Sequence, residues 1–219
     1  MRSKFDQQLA LLNEELTQMG ETCAKAIGLA AQALENQDAA TAAPVAELEE
    51  QTNEQERSIE ALCLKLLLQQ QPVAKDLRRI SAALKMITDM ERIGDQTSDI
   101  AEIIISAKYE NVAQDIDLIG AMATGVSTMV RDSVVAYVEK DLELARKVMA
   151  SDDKIDAYFD EIRDKMIAYI KAEHGEQGNR IFDLIMVTKY LERIGDHATN
   201  IAESVSYTHL RAHETELHL

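Results

Sequence analysis

Glu91-Arg92-Ile93-Gly94-Asp95-Gln96-Thr97-Ser98-Asp99-Ile100-Ala101-Glu102 returns later in the chain as Glu192-Arg193-Ile194-Gly195-Asp196-His197-Ala198-Thr199-Asn200-Ile201-Ala202-Glu203, without a gap and at a constant offset of 101 residues. On a helix, positions i, i+4 and i+8 fall within about 80° of one another. Glu91, Asp95 and Asp99 therefore form one oxygen-bearing stripe, and Glu192, Asp196 and Asn200 form its twin. Beside each stripe runs an apolar seam with alternating three-and-four spacing, the pattern of a buried helix face. In the second copy it is Ile181, Leu184, Thr188, Leu191, Gly195, Ala198, Ala202 and Val205; in the first, Ile80, Ala83, Ile87, Met90, Gly94, Thr97, Ala101 and Ile104. Glycine inside a helix costs about 1 kcal/mol relative to alanine. Its use in both seams at one register predicts the close approach of another helix. A lone Glu-x-x-x-Asp is ordinarily a solvated face neutralised by a neighbour such as Arg92 or Arg193. Recurrence with the Gly, Arg and acidic positions kept favours a shared role.

The flanking sequence repeats as well. Phe5, Leu9, Leu12, Leu16, Met19, Cys23, Ala26, Ala30 and Leu34 hold a seam from about Ser3 to Asn36, where Asn36-Gln37-Asp38 breaks it. Thr41 is the expected N-cap of a second helix with Pro44 in its first turn. That helix carries Val45, Leu48, Ile59, Leu62, Leu66 and Leu67 to a stop at Gln69-Gln70-Gln71-Pro72. A third runs from about Val73 to Lys108. After a polar stretch over 109–115, a fourth ends near Lys140. A fifth, about Leu142 to Glu173, holds Val148, Ile155, Phe159, Ile162, Met166 and Ile170, and a sixth opens after His174-Gly175-Glu176-Gln177-Gly178. Met19 to Asp38 matches Met122 to Asp141 at an offset of 103, which puts Glu49 on Asp152 and Asn53 on Asp156. The drop to 101 at the stripes means two extra residues in the first copy, expected around Gln71-Pro72.

Helices this long greatly exceed the roughly 12-residue average, and short connections between them mean antiparallel bundles. The fold class is all-α: six long helices as two tandem three-helix bundles, residues 3–110 and 111–205, produced by internal duplication. Residues 206–219 lose the seam and hold three of the five histidines. They are expected to be an irregular, non-native tail in which His209 and His213 have no role, although their i, i+4 spacing imitates a zinc pair.

Composition narrows the function. A hydrophobic content of 46% places the chain among globular proteins, and a net charge of −16 argues against nucleic acid, whose phosphates would be repelled. Cys23 and Cys63 sit at apolar helix positions and are expected to be reduced core residues. Met1-Arg2-Ser3-Lys4-Phe5-Asp6 leads straight into an amphipathic helix, and no apolar run approaches the ~20 residues of a membrane span. The expected compartment is the cytoplasm, with no direct insertion into the membrane.

Stacked carboxylates repel one another and suit hard or borderline cations bound through oxygen: Mg²⁺, Mn²⁺, Ca²⁺, or iron and zinc in carboxylate-bridged clusters. Two stripes predict two sites, the second less anionic because Asn200 stands where the first has Asp99. Asp152 and Asp156 add candidate ligands in the second half; Glu49 and Asn53 do so in the first. A di-iron oxygenase would need Glu-x-x-His on paired helices, and the chain contains none. His197 as a phospho-acceptor is disfavoured by Gln96 at the matching position, which leaves a seam-edge or supporting histidine. With no nucleophile–base pair and no glycine-rich phosphate cradle, the expectation is a protein that is not an enzyme. The alternative to a metal-binding regulator is a generic helical scaffold whose acidic faces serve solubility.

The doubled motif at 91–102 and 192–203, with Gln70-Gln71-Pro72 before the third helix, resembles the PhoU family of phosphate-uptake regulators over roughly residues 3–205. The resemblance implies paired three-helix bundles carrying metal clusters at Glu91, Asp95 and Asp99 and at Glu192, Asp196 and Asn200. It also implies a cytoplasmic homodimer, peripheral to the inner membrane through its partners. Those partners would be the ATPase subunit of the phosphate ABC transporter and a sensor histidine kinase, with the phosphate-starvation response held off when phosphate is ample.

Overall fold

The first long helix, α1 (Arg2–Asn36), ends where Gln37 enters the left-handed region at φ 53°. The Gln37 amide donates to the Leu34 carbonyl and the Asp38 amide to that of Ala33, which closes the last turn. The second copy stops its helix in the same way. Lys140 has φ 60°, its amide donates to Tyr137 and the Asp141 amide to Ala136. Each aspartate then caps the following helix: Asp38 Oδ1 accepts from the Ala40 amide, and Asp141 Oδ1 from the Glu143 and Leu144 amides. The duplication thus includes the corners. Thr41, expected as a cap, lies instead inside the short α2 (Ala39–Ala42), because Asp38 is already extended and in place to cap.

In a computed structural model that describes residues 2–69, 72–106, 116–172 and 178–216, the chain is helical almost throughout. The remaining elements are α3 (Val45–Gln69), α4 (Ala74–Ser106), α5 (Ile116–Glu139), α6 (Leu142–Ala172) and α7 (Gly178–Glu216). Pro44, lacking an amide hydrogen, interrupts what would otherwise be one helix from Ala39 to Gln69; its counterpart α6 is continuous. Residues 70–71, 107–115 and 173–177, which include the connections expected between helices, lie outside the described residues. The expected irregular tail needs correction. The α7 helix continues to Glu216, since residues 206–216 contain neither Gly nor Pro to stop a helix already nucleated. The His209 and His213 side chains lie outside the described residues.

The helices sort into two sets of three, α1 with α3 and α4, and α5 with α6 and α7. Every residue of the three predicted seams on α1, α4 and α7 is buried. On α6 the prediction overreached by one turn, because Ile170 is exposed near the helix end. Cys23 and Cys63 are free and buried, and burial pushes both thiols up to about 12. The sets are fused through α1 against α5 and α4 against α7, and one continuous apolar core runs through both. Ser127 Oγ donates to the Ala24 carbonyl at 3.3 Å, and Gln96 Nε2 lies 3.3 Å from His197 Nε2. Each is a pair of repeat-related residues touching one another, so the pseudo-twofold axis passes between them. Asp89, earlier in α4, meets Asn200, later in α7, so these helices run antiparallel. The outer helices α3 and α6 are left to form one groove each with α4 and α7.

Candidate functional site

Gly94 and Gly195 set the depth of the two grooves. A Cβ on Gly94 would lie 3.3 Å from Thr52 Cγ2; on Gly195 it would lie 3.3 Å from Ile155 Cγ2 and 3.5 Å from Asp152 Oδ1. Thr52 and Ile155 are themselves repeat mates. Each outer helix therefore closes on its partner at the glycine, as predicted, and brings its own polar residues to the acidic stripe.

In the α3–α4 groove the structure joins Glu91 and Asp95 to Glu49, Asn53 and Glu56. Burial, followed by the charges of Asp95 and Glu56, pushes the Glu91 carboxyl above its ordinary range, with Glu49 adding to it. Glu56 is raised by burial and then by Glu60, with Asp95 contributing. Asn53 Nδ2 donates to Glu49 Oε1 at 2.5 Å. In the α6–α7 groove, Asp152, Asp156, Glu192 and Asp196 face one another. Burial comes first in raising all three aspartates. Asp196 and Asp156 then act on Asp152, Glu192 acts on Asp156, and Glu192 and Asp156 act on Asp196. Lys189 Nζ partly relieves this by donating to Glu192 Oε2 at 2.5 Å. Both grooves thus hold carboxylates that repel one another, in part beneath the surface.

The third member of each stripe goes elsewhere. Asp99 lies at the α4–α7 seam, where burial and then the Asp99 charge raise the Tyr190 phenol. Asn200 crosses to the first bundle and donates to Asp89 Oδ1 at 3.4 Å. His197 joins it there, its Nδ1 2.9 Å from the same oxygen, as the seam-edge histidine that was expected. Asp89 and Tyr190 are repeat mates, so these two departures are one feature seen twice across the axis.

The donor set fits a hard or borderline cation in atom type and charge, and the mutual repulsion is what such an ion would relieve. Its arrangement is not yet that of a coordination sphere. Among the described residues, no three His, Cys, Asp or Glu side chains converge closely enough to hold a metal as they stand. Glu49 is turned to Asn53 and Glu192 to Lys189. Glu56 was missed in the sequence, although it continues the Glu49-Asn53 face by one further turn. Lys189, three residues before Glu192, was a second readable signal.

A family model described as "PhoU domain" matches the chain twice, over residues 16–104 and 119–205. The chain is 36% identical over 207 residues to the phosphate-specific transport system accessory protein PhoU homolog of Clostridium acetobutylicum, covering 94% of each. It is 33% identical to the protein of the same description from Pseudomonas aeruginosa, covering 93% of this chain and 84% of that one. Its structure matches the crystal structure of PhoU from Pseudomonas aeruginosa with a TM-score of 0.86 at 32% identity, over 95% of this chain and 99% of that one. The regulatory protein PhoU from Streptococcus pneumoniae shares the fold, with a TM-score of 0.87 at 24% identity, over 94% of this chain and 97% of that one. With both motif copies inside matched segments that together span most of its length, the chain belongs to the PhoU family.

Proposed function

We propose that this protein is a non-enzymatic accessory regulator of phosphate uptake that binds metal ions in its two grooves. It acts in the cytoplasm at the transporter, as a homodimer peripheral to the inner membrane. It contacts the ATPase subunit of a phosphate-specific ABC transporter and a sensor histidine kinase, and it holds the phosphate-starvation response off when phosphate is plentiful. The observation that carries the reading is the extent of the likeness: relatives described as phosphate-specific transport accessory proteins align over nearly the whole chain. Among the described residues no helix is long and apolar enough to cross a membrane, which suits a role beside the transporter.

Glu49, Glu91 and Asp95, with Glu56 at the edge, would hold the first ion or cluster; Asp152, Asp156, Glu192 and Asp196 would hold the second. A bound cation supplies the positive charge that the repelling carboxylates lack. Lys189 and Asn53 occupy the same oxygens in its place and would turn aside on loading. The first groove draws on Glu56 where the second has Lys189 as an internal counter-charge, so the two are expected to differ in affinity. Deleting the gene from its host tests the reading: starvation genes should switch on in phosphate-rich medium. Unchanged repression would remove the phosphate role and favour a helical scaffold.

A further inference from the structure

The chain carries a net charge of −16, yet one end of the first bundle is basic and apolar. The α3 helix finishes with Leu64, Lys65 and Leu68, and α4 begins beside Val73, Lys75, Leu77, Arg78 and Arg79. Leu64 and Leu68 share one face of α3, and Val73 and Leu77 share one face at the start of α4. Leu68 is 84% exposed and the other three are about half exposed. The parallel helix α1 places Lys4 at the same end. Asn13 there bonds Arg79 and Cys23 bonds the Met90 carbonyl, so α1 runs parallel to α4 and Lys4 lies toward the end at which α4 begins. Of the acidic residues on these stretches, Asp6 follows Lys4 and Asp76 is turned to the Val73 amide.

The duplication provides an internal control. At the matching places in the second bundle, Lys65 becomes Ala168, Leu77 becomes Gly178 and Arg78 becomes Asn179. The basic-apolar tip is therefore not something the fold requires. An anionic surface would be repelled by most of this molecule and attracted here. A protruding leucine at a helix end that also exposes Lys65 and Lys75 suits lipid, which needs no complementary pocket; the apolar atoms enter the headgroup boundary while the cations stay with the phosphates.

We propose that the α3–α4 tip is a docking surface for the anionic headgroups of a lipid bilayer, which would hold the protein end-on to the membrane without a spanning segment. The proposal does not depend on the phosphate role. Vesicle co-sedimentation of the full chain tests it, using equal parts phosphatidylglycerol and phosphatidylcholine against phosphatidylcholine alone. The protein should pellet with the anionic vesicles only, and less so as salt is raised. Lys65→Glu with Lys75→Glu should weaken binding at least tenfold, since each cation near such a surface is worth about a fivefold change. Leu64→Glu with Leu68→Glu should do the same, whereas Ile167→Glu with Phe182→Glu at the opposite tip should change nothing. All six positions are exposed, and circular dichroism checks that the variants fold. Lipid selectivity and salt response of the unaltered protein are read independently of the variants. Failure to pellet, equal uptake by neutral vesicles, or equal loss at the opposite tip would overturn the proposal. So would conversion of a dimer to a monomer by Leu68→Glu in light scattering without lipid, which would make the tip an interface between copies.

Discussion

Asp196→Asn should make the metal-free protein more stable and the metal-loaded protein less so. Asp196 is pushed by Glu192 and Asp156, and it pushes Asp152 in turn. Like-charged pairs on a helix surface each cost about 0.2–0.5 kcal/mol, and the exposure of Asp196 keeps the estimate at that screened level. Three such pairs come to about 1 kcal/mol, less the attraction to Lys189 and His197 that the substitution also removes. The net gain is about 0.5–1 kcal/mol, or a rise in Tm of roughly 1–3 °C for a chain of this size. A cation held at a hundred times its Kd stabilises the unaltered protein by about 2.7 kcal/mol, and most of that should vanish in the variant. Thermal unfolding in chelator and in excess Mg²⁺, Mn²⁺, Zn²⁺ or Fe³⁺ measures both. A variant that melts several degrees lower in chelator would mean that the Asp196 carboxylate makes a stabilising contact. Equal metal-induced gains in both proteins would remove Asp196 from the ligand set.

The raised carboxyls also predict a pH dependence. Glu56, Glu91, Asp152, Asp156 and Asp196 all lie above their ordinary values when folded, so their contribution is greatest below the unfolded carboxylate range and is lost as pH rises through the raised values. In chelator, the urea midpoint should rise as the pH is lowered from neutral toward the ordinary carboxylate range; a fall would contradict the repulsion described. Gly195→Val should cost about 2–3 kcal/mol by overpacking against Ile155, whereas Gly28→Ala, with nothing within 4 Å of the added carbon, should gain about 0.5–1 kcal/mol. Urea unfolding of both variants checks this contrast. His197→Ala should cost about 1–3 kcal/mol, because Asp89 Oδ1 loses its 2.9 Å partner while Oδ2 is already buried without one. A neutral result in the same assay would mean that the interhelical bond contributes nothing.

The seams were legible because burial on a helix repeats with the helix period, and one-dimensional spacing captures it. The paired glycines were legible for a related reason: their cost shows in sequence, and contact with Thr52 and Ile155 explains it. The stripes were legible only as far as two residues each. Across eight positions a stripe drifts about 80° around the helix, enough to carry Asp99 and Asn200 from the groove of their own bundle to the seam with the other. Sequence spacing alone does not say where one neighbour ends and the next begins. Glu49, Asn53, Asp152 and Asp156 emerged from the offset of the repeat, whereas Glu56 breaks the repeat symmetry, since its counterpart is Phe159. Thr41 was mistaken for a cap because the left-handed turn at Gln37, which frees Asp38 for that task, has no glycine to announce it.

Whether the two grooves carry the proposed regulation of phosphate responses can be read by complementation. In a strain lacking the gene, a phosphate-starvation reporter is measured in phosphate-rich medium. The unaltered gene should restore repression. A copy with Glu91→Gln, Asp95→Asn, Glu192→Gln and Asp196→Asn, which relieves charge repulsion and should fold at least as well, should leave the reporter on at equal protein level. Full repression by that variant would contradict the proposal.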